Sequence, residues 1–341
     1  FDLEIPGSIT HPPEFEERLD EYDWRVTVDD GTTSEGLERT YDLIRSRFEL
    51  LMDFIERDEF DFVHLTVFYI NVLQHKYGDG PETRRGWEII DEYVGELDDD
   101  LTKLVYSDHG HSDIRNTFVV NRYLQDRGYL VMDGAADRAI TETIVGRTYT
   151  TLRALGISPR RIARTVSDIL PDTVDLSPGY PVPTADVDSR IDWSASTALA
   201  VSQGPLYLNR DRLGDDYEST RESLAAELRS ITHDGAPVLR AVEFGEDVYH
   251  GDHVEEAPDL LLVPADGWEL YGGLTPKTFE RAVSSWTSGN DPLGMLVLHG
   301  DDVRSSDLGE RSILDVMPTI LRYVGCPVPT DVDGTAITEP F

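Results

Sequence analysis

The most regular stretch of the chain is a stripe of apolar positions. Leu37, Tyr41, Ile44, Phe48, Leu51 and Ile55 recur at alternating steps of four and three. That period puts them on one face of an α-helix, and Thr32 to Glu35 reads as the capping box that starts it. Trp87, Ile90, Val94 and Leu97 mark a second amphipathic helix over 81–97. Phe60 to Ile70, FDFVHLTVFYI, is different. It is a near-continuous apolar and β-branched run, the pattern of a central strand covered on both faces, and His64 inside it reads as a core histidine. Leu104, Val105 and Tyr106 read as the end of a second buried strand. Asn116 to Asp126 reads as a helix, with Gly128 placed for a left-handed cap. Strands are expected at 204–209, 237–244, 258–263 and 294–299, and a helix over 217–231. A last helix starts near Asp315. Pro318 falls in its first turn, where a missing N–H does little harm, and Gly325 ends it. Strands alternating with helices predict an α/β fold, a mainly parallel sheet with helices on both faces.

Between these elements the pattern weakens. Residues 134–170 are helical in period but weakly apolar, and they carry Arg147, Arg153, Arg160, Arg161 and Arg164. With the proline-bearing linker that follows, 134–186 reads as a helical insertion or lid. The arginines either hold phosphate or pair with local carboxylates. The rest of 1–341 reads as a single domain.

Charge changes the picture most. The chain has 66 acidic against 30 basic residues, a net charge of −36, and its lysines are Lys76, Lys103 and Lys277. A patterned core under so carboxylated a surface predicts adaptation to high salt, of the kind found in haloarchaea, where screening offsets self-repulsion. The melting temperature is therefore expected to rise as KCl is raised from low to molar concentration, with weakening below ~0.5 M. A melting temperature indifferent to KCl would overturn this reading. The same surface repels phosphate backbones, so no nucleic acid polymer is expected as a partner. The single cysteine, Cys326, excludes an internal disulfide and reads as a small core residue. No apolar run reaches the roughly 20 residues needed to span a membrane, and no signal peptide is seen. A cytoplasmic protein without membrane contact is expected; the oligomeric state is left open.

The chemistry concentrates in Ser107-Asp108-His109-Gly110-His111, at the carboxyl end of the Leu104–Tyr106 strand. Open α/β sheets bind ligands at such ends. An Asp beside a His there offers a metal one carboxylate oxygen and one imidazole nitrogen; the plain alternative is a turn Asp capping a helix beside a surface His. His75 lies four residues after Asn71, one helical turn, so the two share a face. The chain has no G-x-S-x-G elbow, P-loop or G-x-G-x-x-G.

SDHG followed by NTFVVNRYLQDRGYL resembles the alkaline phosphatase superfamily, and more narrowly its type I phosphodiesterase/nucleotide pyrophosphatase branch. LTVFYINVLQH, RIDWSASTALA and ILDVMPTILRYVGCPVPTDVDG agree in order, so the resemblance runs from about Gly7 to Gly334. It implies a metal-dependent hydrolase of phosphate mono- or diesters, with two divalent metal ions (zinc or manganese) and a small phosphorylated substrate. It implies Asp108 and His109 as ligands of one ion. The ligands of the other map to Asn71, His75 and, near the position of a distant His, Asp291. Asn71 and Asp291 depart from the family's Asp and His. The nucleophile and the first metal Asp find no match and are expected upstream of this chain, together with the first strands of the sheet. The altered ligands leave a second reading open: a non-catalytic descendant that serves binding or assembly.

Overall fold

The fold is a computed structural model that describes residues 10–11, 13–16, 22, 33–57, 60–132, 191–201, 203–281 and 286–341. The expected insertion and linker over 134–186, with its arginines, lie outside the described residues. The chain divides into two compact units, Phe1–Ser112 with Thr287–Phe341, and Asp113–Trp286.

The first unit is built on three helices, α1 (Ser34–Glu56), α2 (Phe68–Tyr77) and α3 (Pro81–Glu96). The expected stripe does bury α1, through Tyr41, Ile44 and Phe48 together with Leu43. These meet Tyr69 and Leu73 of α2 and Ile89 and Ile90 of α3 in one apolar cluster. Full burial of a side chain such as Ile44, Leu73 or Ile89 contributes roughly 2 kcal/mol. The start of α1 is one residue later than expected, because Thr33, not Thr32, accepts from Gly36 N at 3.1 Å. Pro81 opens α3 in its first turn.

The expected central strand over Phe60–Ile70 is not formed. Residues 62–67 make no ladder, and Phe68 already begins α2. Periodicity alone does not separate a buried strand from a helix in a continuous apolar run; here α2 takes Tyr69 and Leu73 into the cluster. The segment before it meets β1 through side chains, with His64 stacked against Tyr106 and hydrogen-bonded to its hydroxyl at 3.2 Å. His64 is exposed, not a core residue.

β1 (Lys103–Tyr106) forms as expected but is half-buried, and its partner is β13 (Leu296–His299), antiparallel, with Lys103 opposite His299 and Tyr106 opposite Leu296. β2 (Gly110–Asp113) pairs with β12 (Ser288–Asp291). A closing helix, Val316–Tyr323, buries Val316, Pro318 and Thr319, with Pro318 in its first turn. Gly325 then turns the chain at φ 74°, and Cys326, expected in the core, is exposed.

The second unit holds a four-stranded antiparallel sheet, β4 (Ala198–Ala200), β5 (Pro205–Leu208), β9 (Leu260–Pro264) and β8 (Leu239–Phe244), in that order. A three-stranded sheet has β3 (Asn116–Val119) between β10 (Trp268–Tyr271) and β11 (Phe279–Glu280). The longer helices described here are α4 (Val120–Arg127) and α5 (Tyr217–Arg229). The hairpin β6 (Thr232–His233) to β7 (Ala236–Pro237) turns on Asp234 and Gly235, both at positive φ as a tight two-residue turn demands. The expected helix over 116–126 thus begins only at Val120: Thr117, Phe118 and Val119 are buried in a strand. Gly128 caps α4 in the left-handed region as expected. Asn121, fully buried, ties α4 to β4 by donating to Ala200 O at 2.9 Å and accepting from Ala200 N at 2.8 Å.

The α/β class holds, but the expected mainly parallel sheet does not. The β3–β10 pairing is parallel, while β1–β13, β3–β11, β4–β5, β5–β9, β6–β7 and β8–β9 are antiparallel. Only a few residues separate β4 from β5 and β6 from β7, too few for the crossover that a parallel pair needs, so these neighbours run opposite ways; the distant pairs, such as β1–β13, are set by the tertiary fold. Among the described residues no helix is long and apolar enough to cross a membrane.

Candidate metal centre

The candidate ligands all belong to the first unit. α2 ends over the start of β12. Thr287 N donates to His75 O at 2.7 Å, and Ser288 Oγ donates to Gln74 O at 2.7 Å. Carbonyls at a helix end lack the usual intrahelical partner; this contact satisfies His75 O and adds a second bond to Gln74 O, which already accepts from Gly78 N at 2.8 Å, so the last turn of α2 is held in place. His75 is buried and its Nδ1 sits 2.8 Å from Ser288 O. Asn71, one turn earlier on the same helix, is half-buried.

β2 reaches the same place by its pairing with β12. The approach is close: a β-carbon on Gly110 would stand 1.9 Å from Leu293 O and 3.7 Å from the β-carbon of Asp291. Gly110 is thus required by space, and it brings Asp291 beside the Asp108–His111 turn. Asp291 itself closes its own turn, its Oδ1 accepting from Leu293 N at 2.9 Å.

Asp108 is an exposed carboxylate whose Oδ1 accepts from His109 N at 3.1 Å. His109 has Nδ1 at 2.8 Å from Gly110 O and Nε2 at 3.7 Å from Asp108 Oδ2. His111 has Nδ1 at 2.9 Å from Gln74 Nε2, and Nε2 at 2.9 Å from Asp79 Oδ1. His75 and His109 therefore share one arrangement, each with Nδ1 held by a backbone carbonyl, whereas His111 has the Gln74 amide on Nδ1 and the Asp79 carboxylate on Nε2. Metal-binding histidines are oriented in this way, because the held nitrogen fixes the ring and leaves the other to the ion. His75 lies in the field of the other two. Burial lowers its pKa most, the hydrogen bond to Ser288 raises it, and the charges of His109 and His111 lower it further. A lowered pKa keeps the imidazole neutral, the form that binds metal.

The donor types suit a divalent ion, and their placement yields pairs. Among the described residues no three His, Cys, Asp or Glu side chains stand close enough together to hold one metal ion. Two ligands on a tetrahedral zinc stand roughly 3.3 Å apart, so the 3.7 Å between Asp108 and His109 needs only a small closure. Of the expected residues, the structure sets His75 near His109 and Asp291 beside Gly110, while Asn71 stands one turn before His75 on α2. Sequence reasoning passed over Asp79, Gln74 and His111. The signal was there for His111, which directly follows SDHG. Asp79 lies 32 positions before His111, and nothing local points from one to the other.

A groove of about 900 Å³ runs along β13 and the loop after it, with Ser107, Asp108, Met295, Arg304 and Ile313 among its walls. Asp108 faces it; His75, His109 and His111 do not line it.

Residues 3–292 match the sequence model of the type I phosphodiesterase / nucleotide pyrophosphatase family. Among curated proteins none matches the chain. Two solved structures do: phosphonoacetate hydrolase from Sinorhizobium meliloti 1021, in complex with phosphonoacetate and with phosphonoformate. They are 15% and 14% identical to the chain, with a TM-score of 0.39 in each case. The match covers 77% of this chain and 51% of that one, so this chain spans about half the hydrolase's length.

Proposed function

The chain belongs to the type I phosphodiesterase / nucleotide pyrophosphatase family, and from that membership we propose that it is a metal-dependent hydrolase of phosphate mono- or diesters. The observation that carries the reading is the common anchoring of His75 and His109 through Nδ1 on backbone carbonyls, beside the Asp108 carboxylate. Asp108 and His109 are the donors we assign to one ion, His75 to a second, with Asn71 and Asp291 as its weaker neighbours. A divalent ion, zinc or manganese, supplies charge that draws phosphoryl oxygens and polarises the ester. The protein's own part is to orient the imidazoles, keep His75 neutral, and offer an exposed carboxylate at Asp108. The substrate is a small phosphorylated molecule, because a surface of net charge −36 disfavours a long polyanion.

A second reading stands on a specific observation. Asn71 places a neutral amide where the family has a carboxylate, and Asp291 stands where it has a histidine. That favours a non-catalytic descendant that retains one ion for binding or assembly.

Zinc titration of metal-free protein by calorimetry, in molar KCl, addresses both. Asp108→Ala is expected to remove the uptake due to the Asp108–His109 pair, since it deletes that pair's charged donor. Asn71→Asp is expected to tighten uptake near His75 by about tenfold, about 1.4 kcal/mol, by adding a charge–charge attraction. Equal zinc affinity in wild type and Asp108→Ala would reduce SDHG to a structural turn. Hydrolysis of a generic phosphodiester by this chain under the same salt, with zinc or manganese, would overturn the non-catalytic reading and show that the nucleophile lies within these 341 residues.

A further inference from the structure

We propose that Asp79 and His111 form a second donor pair for a divalent cation, apart from the positions that carry the family pattern. The inference rests on reading the histidine cluster as a metal centre, and it adds an exposed carboxylate beside His111.

The geometry has three parts. His111 Nε2 and Asp79 Oδ1 stand 2.9 Å apart, and a tetrahedral ion with bonds of about 2.0–2.1 Å spreads two ligands to roughly 3.3 Å. An ion therefore enters with an opening of a few tenths of an ångström, well within reach of an exposed aspartate side chain. His111 Nδ1 is held by the Gln74 side chain at 2.9 Å. With the ion on Nε2, Nδ1 carries the proton and donates to the Gln74 amide oxygen; oxygen and nitrogen of that amide exchange places by a simple flip. This is the outer-shell support that ligating histidines have.

The position of Asp79 is also built. It sits in the Gly78-Asp79-Gly80 turn between α2 and α3. Gly78 lies at φ 54°, a conformation other residues adopt at a cost. A β-carbon on Gly80 would come within 2.8 Å of Tyr77 O. The turn thus delivers Asp79 eight residues after Asn71, near the end of the same helix. On the other side, Gly110 holds β2, and so His111, against the turn at Asp291–Leu293.

Two protein donors leave most of the coordination shell open. Asp79 is exposed, so water or the oxygens of a phosphate ester complete the shell. An imidazole with a carboxylate suits zinc or manganese better than calcium or magnesium.

The test is zinc titration of the full metal-free chain in molar KCl, by calorimetry, with manganese as a second probe. The wild type is expected to take up an ion at this pair in addition to those assigned to Asp108–His109 and to His75. Asp79→Asn keeps the size and a hydrogen-bond acceptor, and at an exposed site it leaves the fold intact; it is expected to lose one equivalent, or to bind it at least tenfold more weakly. His111→Ala is expected to do the same. A metal-free melting curve checks that each variant is folded. If both variants retain wild-type uptake while Asp108→Ala loses an ion, this inference fails and the reading of Asp108 and His109 stands. If the two variants lose an ion and Asp108→Ala does not, the new pair stands and that reading fails. A wild type that takes up no zinc overturns both.

Discussion

Asp259→Ala is expected to destabilise the second unit by about 3 kcal/mol, the scale for breaking a buried charged network by removing one partner. The carboxylate is 4% exposed. It accepts from Leu208 N, from the Tyr217 hydroxyl, and from Arg210 Nη2 at 2.8 Å. Alanine leaves a strand-end N–H, a phenol and a guanidinium without their acceptor, and the cost of stranding such groups exceeds the worth of the bonds themselves. Tyr217 provides an independent readout. Burial pushes its pKa up to about 12, and the hydrogen bond to Asp259 and the Asp259 charge add to the effect. The folded-state value lies above the ordinary one, so the fold favours the protonated phenol. That stability is complete below pH 10 and is lost as pH rises toward 12. In Asp259→Ala the phenol should titrate closer to its ordinary range, and the alkaline loss of stability should shrink. Urea unfolding and an ultraviolet titration of tyrosine read the two effects. Wild-type stability in the variant would mean that the three donors find other partners at no cost.

Gly110→Ala should cost about 3 kcal/mol, the scale of forcing an extra carbon into packed structure, and it should also weaken zinc uptake. The added β-carbon would lie 1.9 Å from Leu293 O, a backbone atom that cannot swing away as a side chain would. β2 must therefore separate from the turn after β12. His109 and His111 flank Gly110, so the separation displaces both imidazoles from α2, which carries Gln74 and His75. Unfolding by urea and zinc calorimetry on the same sample test the two consequences together. An alanine variant with wild-type stability and wild-type zinc binding would mean that β2 does not seat against Leu293 in this way.

What the sequence determined by itself is local. The α1 stripe repeats at helical period, and its burial follows whatever the helix meets. Pro81, Pro318 and the left-handed Gly128 act within one turn of their own positions, so they mark helix ends without knowledge of the fold. The strands β9 and β13 were likewise visible as short apolar runs between turn residues. The Asp108–His109 pair was legible because its two donors are adjacent. Tertiary structure decided the rest. Residues 60–67 carry strand-forming side chains, but no strand pairs with them, and the end of the run, from Phe68, enters α2 instead. β1 found β13, almost 200 positions away, and antiparallel order followed from that partner rather than from the strand's own residues. Cys326 is apolar by type, yet the turn at Gly325 leaves it exposed. The pairing of Asp79 with His111 required α2, the glycine turn and β2 all to be in place, because distant donors converge only when the backbone between them is fixed.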